Sequence, residues 1–335
     1  MDPAMIQTTG AMMRLSRRTL LLGAVSAPAA LWLAEGTAQA TAQAATSYDV
    51  AVCEQYRNQV QIYSSAAGWT SPHWVWSPGG GGWANLSDVK FRSTAKFGEV
   101  ALVAASGGNV GIVHKNASGT QGTGSLLWKA SPGSNPHAIE RIPNIGAVVA
   151  ASSGGYLHVY GPTAVNDPAT LALVQTISFP GAHGLWYDDV HNRLWAVGQG
   201  KATSYQVSGS YRNTRLVGGV NVSIGSGNLG HSLDASYKDS GILLVSHTSA
   251  VVAINKTTHA VSTVHANHAV KSFSQHSSGE AFWVQSTGKT YHGDSRNWVN
   301  PDVQFFNASG ARSFTRGLSY GAEFYKARLH AVGYH

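Results

Sequence analysis

Cysteine occurs once in 335 residues, at Cys53, so no disulfide within the chain can hold the fold, and a buried thiol in an apolar stretch is the expected role. Charged residues make up only 12% of the chain, and Asp and Glu together number 16. Paired carboxylates of the kind glycoside hydrolysis needs are therefore scarce; Glu54 and Glu323 are the only good candidates near the site developed below. Basic residues form no run and no nucleic-acid motif is present, which sets nucleic acid aside despite a net charge of +7. Long apolar runs are also missing. The one near the N-terminus ends at Leu33 and is broken by Pro28, so a stable membrane anchor is not expected.

What is present points elsewhere. Gly is abundant, at 38 residues, and Val, Thr, Ser, Tyr and Trp are frequent, which suits short strands and tight turns better than helices. An all-β fold follows. Ser16-Arg17-Arg18-Thr19-Leu20-Leu21-Leu22 matches the twin-arginine export pattern, and small residues around Ala38-Gln39-Ala40 and Ala42-Gln43-Ala44 offer cleavage sites. Residues 1–45 read as a signal peptide and 46–335 as the mature domain, secreted or extracytoplasmic. A basic exported protein is expected to meet acidic polysaccharides or oligosaccharides. A monomer is expected.

Internal repetition decides the architecture. Pro136-His137-Ala138-Ile139-Glu140, Ala182-His183-Gly184-Leu185-Trp186 and Gly230-His231-Ser232-Leu233-Asp234 align without gaps, with their histidines 46 and 48 residues apart. Each is followed by an apolar strand ending in small residues, a second alternating strand and a last strand. Four strands per repeat predict a propeller blade. Segments starting at Leu86 and Val270 fit the same template, and a sixth blade is shared by the termini: YDVAVCEQ and QVQIYS supply its second and third strands, and FYKARLHAV its innermost one. The expectation is a single β-propeller of six four-stranded blades, closed by pairing of the N- and C-terminal strands; seven blades and a β-sandwich are the alternatives. Trp69, Trp74, Trp76 and Trp83 read as core and inter-blade packing, and His158, with other histidines of outer strands and turns, as surface.

In a propeller the starts of the innermost strands surround the axis on one face. His137, His183, His231 and Lys271 share that slot, with Ser87 and Glu323 completing the ring by weaker alignment. Turns between second and third strands project from the same face and bring Tyr56, Arg57, Tyr156 and His247. A long loop from Ser286 to Pro301 adds Tyr291, Arg296 and Trp298, and irregular loops of that length tend to carry function. Cationic groups crowded together disfavour their own protonated forms, so the histidines are expected to be neutral bases or metal ligands. A mouth rich in His, Lys, Arg and Tyr but poor in acids suits β-elimination from a uronate better than hydrolysis. His137, His183, His231, Lys271 and Tyr156 are the catalytic candidates; Tyr56, Arg57, His247, Tyr291, Arg296 and Trp298 would hold substrate.

The strand starts PHAIE, AHGLW, GHSLD and VKSFS, with the closing EFYKAR, resemble a family of secreted propellers common in actinobacteria. More distantly the chain is similar to propeller polysaccharide lyases, the rhamnose-glucuronate and oligogalacturonate lyases. That resemblance implies a polysaccharide lyase acting on uronate-containing glycans. The second of these families also implies a divalent metal, held here by His137, His183 and His231 with Gln55, Gln199 or Gln285 as fourth ligand. A non-catalytic glycan or cell-wall binding propeller and a metal-dependent enzyme are the alternatives to the lyase.

Overall fold

A computed structural model describes residues 46–334 except 117–118 and 123–124. The expected signal peptide lies outside the described residues. Among them there is no α-helix, and no helix long and apolar enough to cross a membrane.

Six antiparallel sheets follow one another along the chain. Their innermost strands are Leu86–Thr94, Pro136–Ile142, Gly184–Asp188, Gly230–Ala235, Val270–Gln275 and Phe324–Leu329, and each touches the next around a closed ring. The protein is a six-bladed β-propeller. We number the blades 1 to 6, starting from the one that closes the ring. Blade 1 is built from Phe324–Leu329, Asp49–Glu54, Gln59–Ser64 and Trp74–Trp76, from the axis outward, as the termini suggested. A short strand, Gly119–Gln121, leaves blade 2 and pairs in parallel with Trp74–Trp76, an addition that the repeats did not announce.

Packing explains the composition. The core is not one mass but a series of apolar seams, one between each pair of neighbouring blades. A second strand such as Ala147–Ser152 is buried along its whole length because seams cover both its faces, so it reads as a continuous run of Ala and Val rather than an alternation. Trp74 and Trp76, in the outermost strand of blade 1, fill the seam toward blade 2 together with Trp83 and the buried Cys53. Trp69 is likewise buried, in the seam toward blade 6. Burial pushes the Cys53 thiol far up, so it stays protonated and inert. His158 is a correction: it is buried, not a surface residue, since the third strand of blade 3 is covered.

Candidate functional site at the axial mouth

The slot at the head of the inner strand is a β-bulge in five of the six blades. Pairing with the second strand skips His137, His231, Lys271 and Ser87 in their blades, and His183 stands just ahead of its strand with its N–H on Val197 O at 2.9 Å. In blade 1 the skipped residue is Tyr325, not Glu323. The alignment missed it by two places because the bulge falls later, relative to the preceding turn, in that blade. A bulge turns its extra residue out of the ladder's alternation, and here His137, His231, Lys271 and Tyr325, together with His183, come together at the axis.

The side chains do meet. The rings of His137 and His183 lie 4.2 Å apart between centroids, and those of His183 and His231 5.7 Å apart. Tyr325 reaches past the small Ser87 to within 5.7 Å of His137. Lys271 Nζ stands 3.4 Å from His231 Nε2.

Local backbone sets the imidazole tautomers. Asn85, Asn135, Gly181 and Ala269, each two residues before this slot, adopt left-handed φ of 55°, 65°, 67° and 58°. In blades 3 and 4 this turn presents a carbonyl to the following ring: His137 Nδ1 bonds Asn135 O at 2.9 Å and His183 Nδ1 bonds Gly181 O at 2.8 Å. A carbonyl only accepts, so Nδ1 carries the proton and Nε2 keeps its lone pair. His231 differs. Its Nε2 faces the Lys271 ammonium, and its Nδ1 is buried without a partner. Leaving such a group unsatisfied costs about 1–3 kcal/mol, and a native site seldom retains that without a reason.

Burial and neighbouring charge hold the three imidazoles neutral. Desolvation, with Lys326 adding repulsion, lowers His137 to about 4. Desolvation and His137 lower His183 well below its usual range, and desolvation with Lys271 and Lys326 lowers His231 to about 2. Burial also lowers Lys271, to about 8. Acidification should therefore destabilise the fold. From the ordinary value of 6.5 down to about 4 the unfolded chain takes up protons at these positions and the folded one does not, so stability rises with pH across that window. Urea melts at about pH 7.5 and about pH 5 should show the loss, with a shallower dependence in His137→Gln. A midpoint unmoved by pH would remove this account.

Beneath the mouth the channel is closed. Lys326, fully buried, crosses the axis from blade 1 to donate to His137 O at 2.9 Å and His183 O at 3.2 Å. Asp88 receives Lys90 and Arg328, each at 2.9 Å, with Lys326 at 3.9 Å, and Arg328 also reaches Asp234 at 3.3 Å. Ala138, Gly184, Ser232 and Ser272 take the corresponding place in the other four blades, and their small size leaves room for this plug. None of the plug residues was singled out from sequence; the signal for Asp88 and Lys326 was charge at an inner-strand position where the other blades carry Ala, Gly or Ser.

The remaining candidates fall elsewhere. His247 is buried one strand out, opposite Gly230, and burial lowers its pKa. Tyr156 is 42% exposed at the start of a third strand, with His158 beside its ring. Two inter-strand spacings, about 10 Å, separate that strand from the axial one, so Tyr156 is not part of the cluster. Arg296 is already neutralised by Asp294 and by Glu323, the latter at 2.8 Å, and it donates to Gln55 O. Tyr291 bonds Thr287, and Trp298 Nε1 donates to Gln55 Oε1 at 3.0 Å. Tyr56 stacks on His292 with centroids 3.8 Å apart, and Arg57 lies over Tyr320 at 3.6 Å. The long loop is thus held against the rim by its own contacts.

Neither hydrolase carboxylates nor a metal site results. Glu54 accepts the backbone N–H groups of Tyr56, Arg57 and Glu323, and Glu323 pairs with Arg296. The imidazole planes are tilted by 50° and 79° to one another, packing ring on ring, and among the described residues no group of three His, Cys, Asp or Glu could hold a metal ion. Gln55, Gln199 and Gln285 donate to Leu86 O, Ser226 O and His268 O instead. In this arrangement, then, the three histidines do not form a ready metal-binding group.

Comparison with solved structures agrees with the architecture. The chain is similar to the WD40 β-propeller domain of Doa1, with a TM-score of 0.52 and 13% identity over 84% of this chain and 88% of that one. It is also similar to a chain of the nidogen/laminin complex, with a TM-score of 0.54 and 10% identity over 85% and 99%. No family model matches, and no curated protein matches by sequence. At such identities the likeness carries the propeller fold alone.

Proposed function

We propose that this chain is an exported propeller that binds acidic glycans at its axial mouth. The observation that carries the reading is Lys271. Among the described residues no carboxylate lies within ion-pair distance of its ammonium, which is flanked instead by a neutral imidazole at 3.4 Å and faces two more across the mouth. A cation without a counter-ion, in a site whose other groups are uncharged, suits a ligand that brings its own negative charge. The imidazole Nε2 atoms of His137 and His183 would accept from sugar hydroxyls. Export by the twin-arginine leader would place this binding outside the cytoplasm.

Polygalacturonate and gum arabic should bind the wild type, measured by calorimetry, more tightly than a neutral glucan. Lys271→Met should weaken binding by about tenfold or more, and affinity should fall as pH rises through about 8, where Lys271 loses its proton. Equal affinity for neutral and acidic polymers would overturn the proposal.

One observation favours lyase activity as a second reading: a neutral imidazole, His231, beside the cation that would hold the uronate carboxylate. In that reaction His231 would take the proton from the carbon next to the carboxylate. The C–O bond to the leaving sugar would break with formation of a C=C bond, and a proton from Tyr325, not Tyr156, would go to the leaving oxygen. Absorbance from unsaturated uronate should then grow with time and vanish in His231→Ala. No rise on any uronate polymer that binds would leave the non-catalytic reading standing.

A further inference from the structure

Away from the axis, the flank of blade 1 carries a cleft of about 340 Å³, bounded by the turn at Arg57, the strand Gln59–Ser64, the segment around Trp69 and the chain at Leu318–Tyr320 that links blade 6 to blade 1. Its chemistry is unlike that of the inter-blade seams. Strand alternation places Gln59, Gln61 and Tyr63 on one face. They form a chain of hydrogen bonds, in which Tyr63 Oη donates to Gln61 Oε1 at 3.0 Å and Gln61 Nε2 to Gln59 Oε1 at 2.7 Å, and Gln59 Nε2 continues to Ser77 Oγ at 2.9 Å. Trp69 stacks behind Tyr63 at 4.7 Å and stiffens this wall.

Arg57 stands opposite. Its guanidinium carbon lies over the Tyr320 ring, 3.6 Å from the centroid, a cation–π contact that holds the charge at the mouth of the cleft. Among the described residues no carboxylate is within ion-pair distance of it, and its only hydrogen bond is the backbone one to Glu54. Arg296, by contrast, has two acids. A guanidinium held on a ring and without a carboxylate partner matches a carboxylate in bidentate fashion. Fixed amides and a phenol across the cleft match the hydroxyls flanking such a carboxylate on a sugar ring, and the volume is that of a small-ligand site.

We propose that this lateral cleft is a second binding site, for a uronate residue of an acidic glycan, with Arg57 gripping the carboxylate and the Gln59–Gln61–Tyr63 row reading the hydroxyls. The ligand class rests on the acidic-glycan reading above, but the site is separate from the axial one.

The test is calorimetric titration of trigalacturonate into the full chain and into Arg57→Met, Arg57→Lys and Lys271→Met. Arg57 is exposed, so its variants should melt with the wild type. Two sites are expected in the wild type. Arg57→Met should lose one of them, by about tenfold or more in affinity, Arg57→Lys should recover it only partly because an ammonium has no fork, and Lys271→Met should keep it. If Arg57→Met binds as the wild type does while Lys271→Met loses binding, the cleft is overturned and the axial reading survives. If Lys271→Met binds unchanged and Arg57→Met does not, the cleft stands and the axial site falls. If both variants bind unchanged, or trigalacturonate amidated at its carboxylates binds as well as the acid, carboxylate recognition by Arg57 is refuted.

Discussion

Asp88→Asn should be among the most damaging single substitutions in this protein, lowering stability by about 3–5 kcal/mol and the melting temperature by on the order of 10 °C. Asp88 is fully buried, and Lys90, Lys326 and Arg328 all converge on its carboxylate. Asparagine fills the same space but cannot offset three cations, and an uncompensated charge in a dry interior costs several kcal/mol. Burial alone would raise the Asp88 pKa, yet Arg328, Lys326 and Lys90 hold it well below the usual carboxylate range. The contribution is accordingly present above the ordinary value of 3.8 and is lost only as the pH falls through the lower folded value. Scanning calorimetry of the variant is the check, and a loss below about 1 kcal/mol would show that water reaches the plug.

Glu140→Gln is expected to have the second largest effect, also about 3–5 kcal/mol. Arg92 of blade 2 meets Glu140 of blade 3 through two parallel bonds, Nε to Oε1 at 2.9 Å and Nη2 to Oε2 at 2.6 Å, with both side chains fully buried. The same guanidinium lies 4.7 Å from the Trp186 ring of blade 4 and 4.3 Å from that of Tyr334, so one residue ties three blades and the C-terminal segment. Glutamine keeps the shape but removes the charge and turns one acceptor into a donor facing the fork. The paired replacement Arg92→Met with Glu140→Leu should recover most of the stability, because removing both partners leaves nothing buried and unmatched. Equal losses in the single and double variants, read by urea unfolding, would show that Arg92 acts through its ring contacts rather than through the ion pair.

Much of the fold was legible because a propeller repeats its local rules. The recurrence of a histidine or lysine before a small residue and a large apolar one marked the inner strands, and the terminal segments contained the two hydrophobic alternations and the FYKAR run that the last blade lacked. Less could be read of the site. Alignment by residue count placed Glu323 where Tyr325 belongs, because a bulge inserts one residue at a point that only pairing reveals. Arg296 was expected to hold substrate, but the fold sets Asp294 and Glu323 against it. Tyr156 looked axial because the turn that carries it is on the right face, but radius matters as well as face.

Composition and recurrence alone determined that this chain is all-β, that it is built from repeated units of four strands, and that three imidazoles and an amine head the inner strands of successive units. Those properties are local, set by alternation and turn chemistry within about forty-five residues. Ring closure decided the rest: which charges are cancelled, which are left without a partner, and that the channel is filled by Lys326, Asp88 and Arg328. Charge compensation depends on distances between residues as far apart as Asp88 and Arg328, and no local pattern in the chain encodes them.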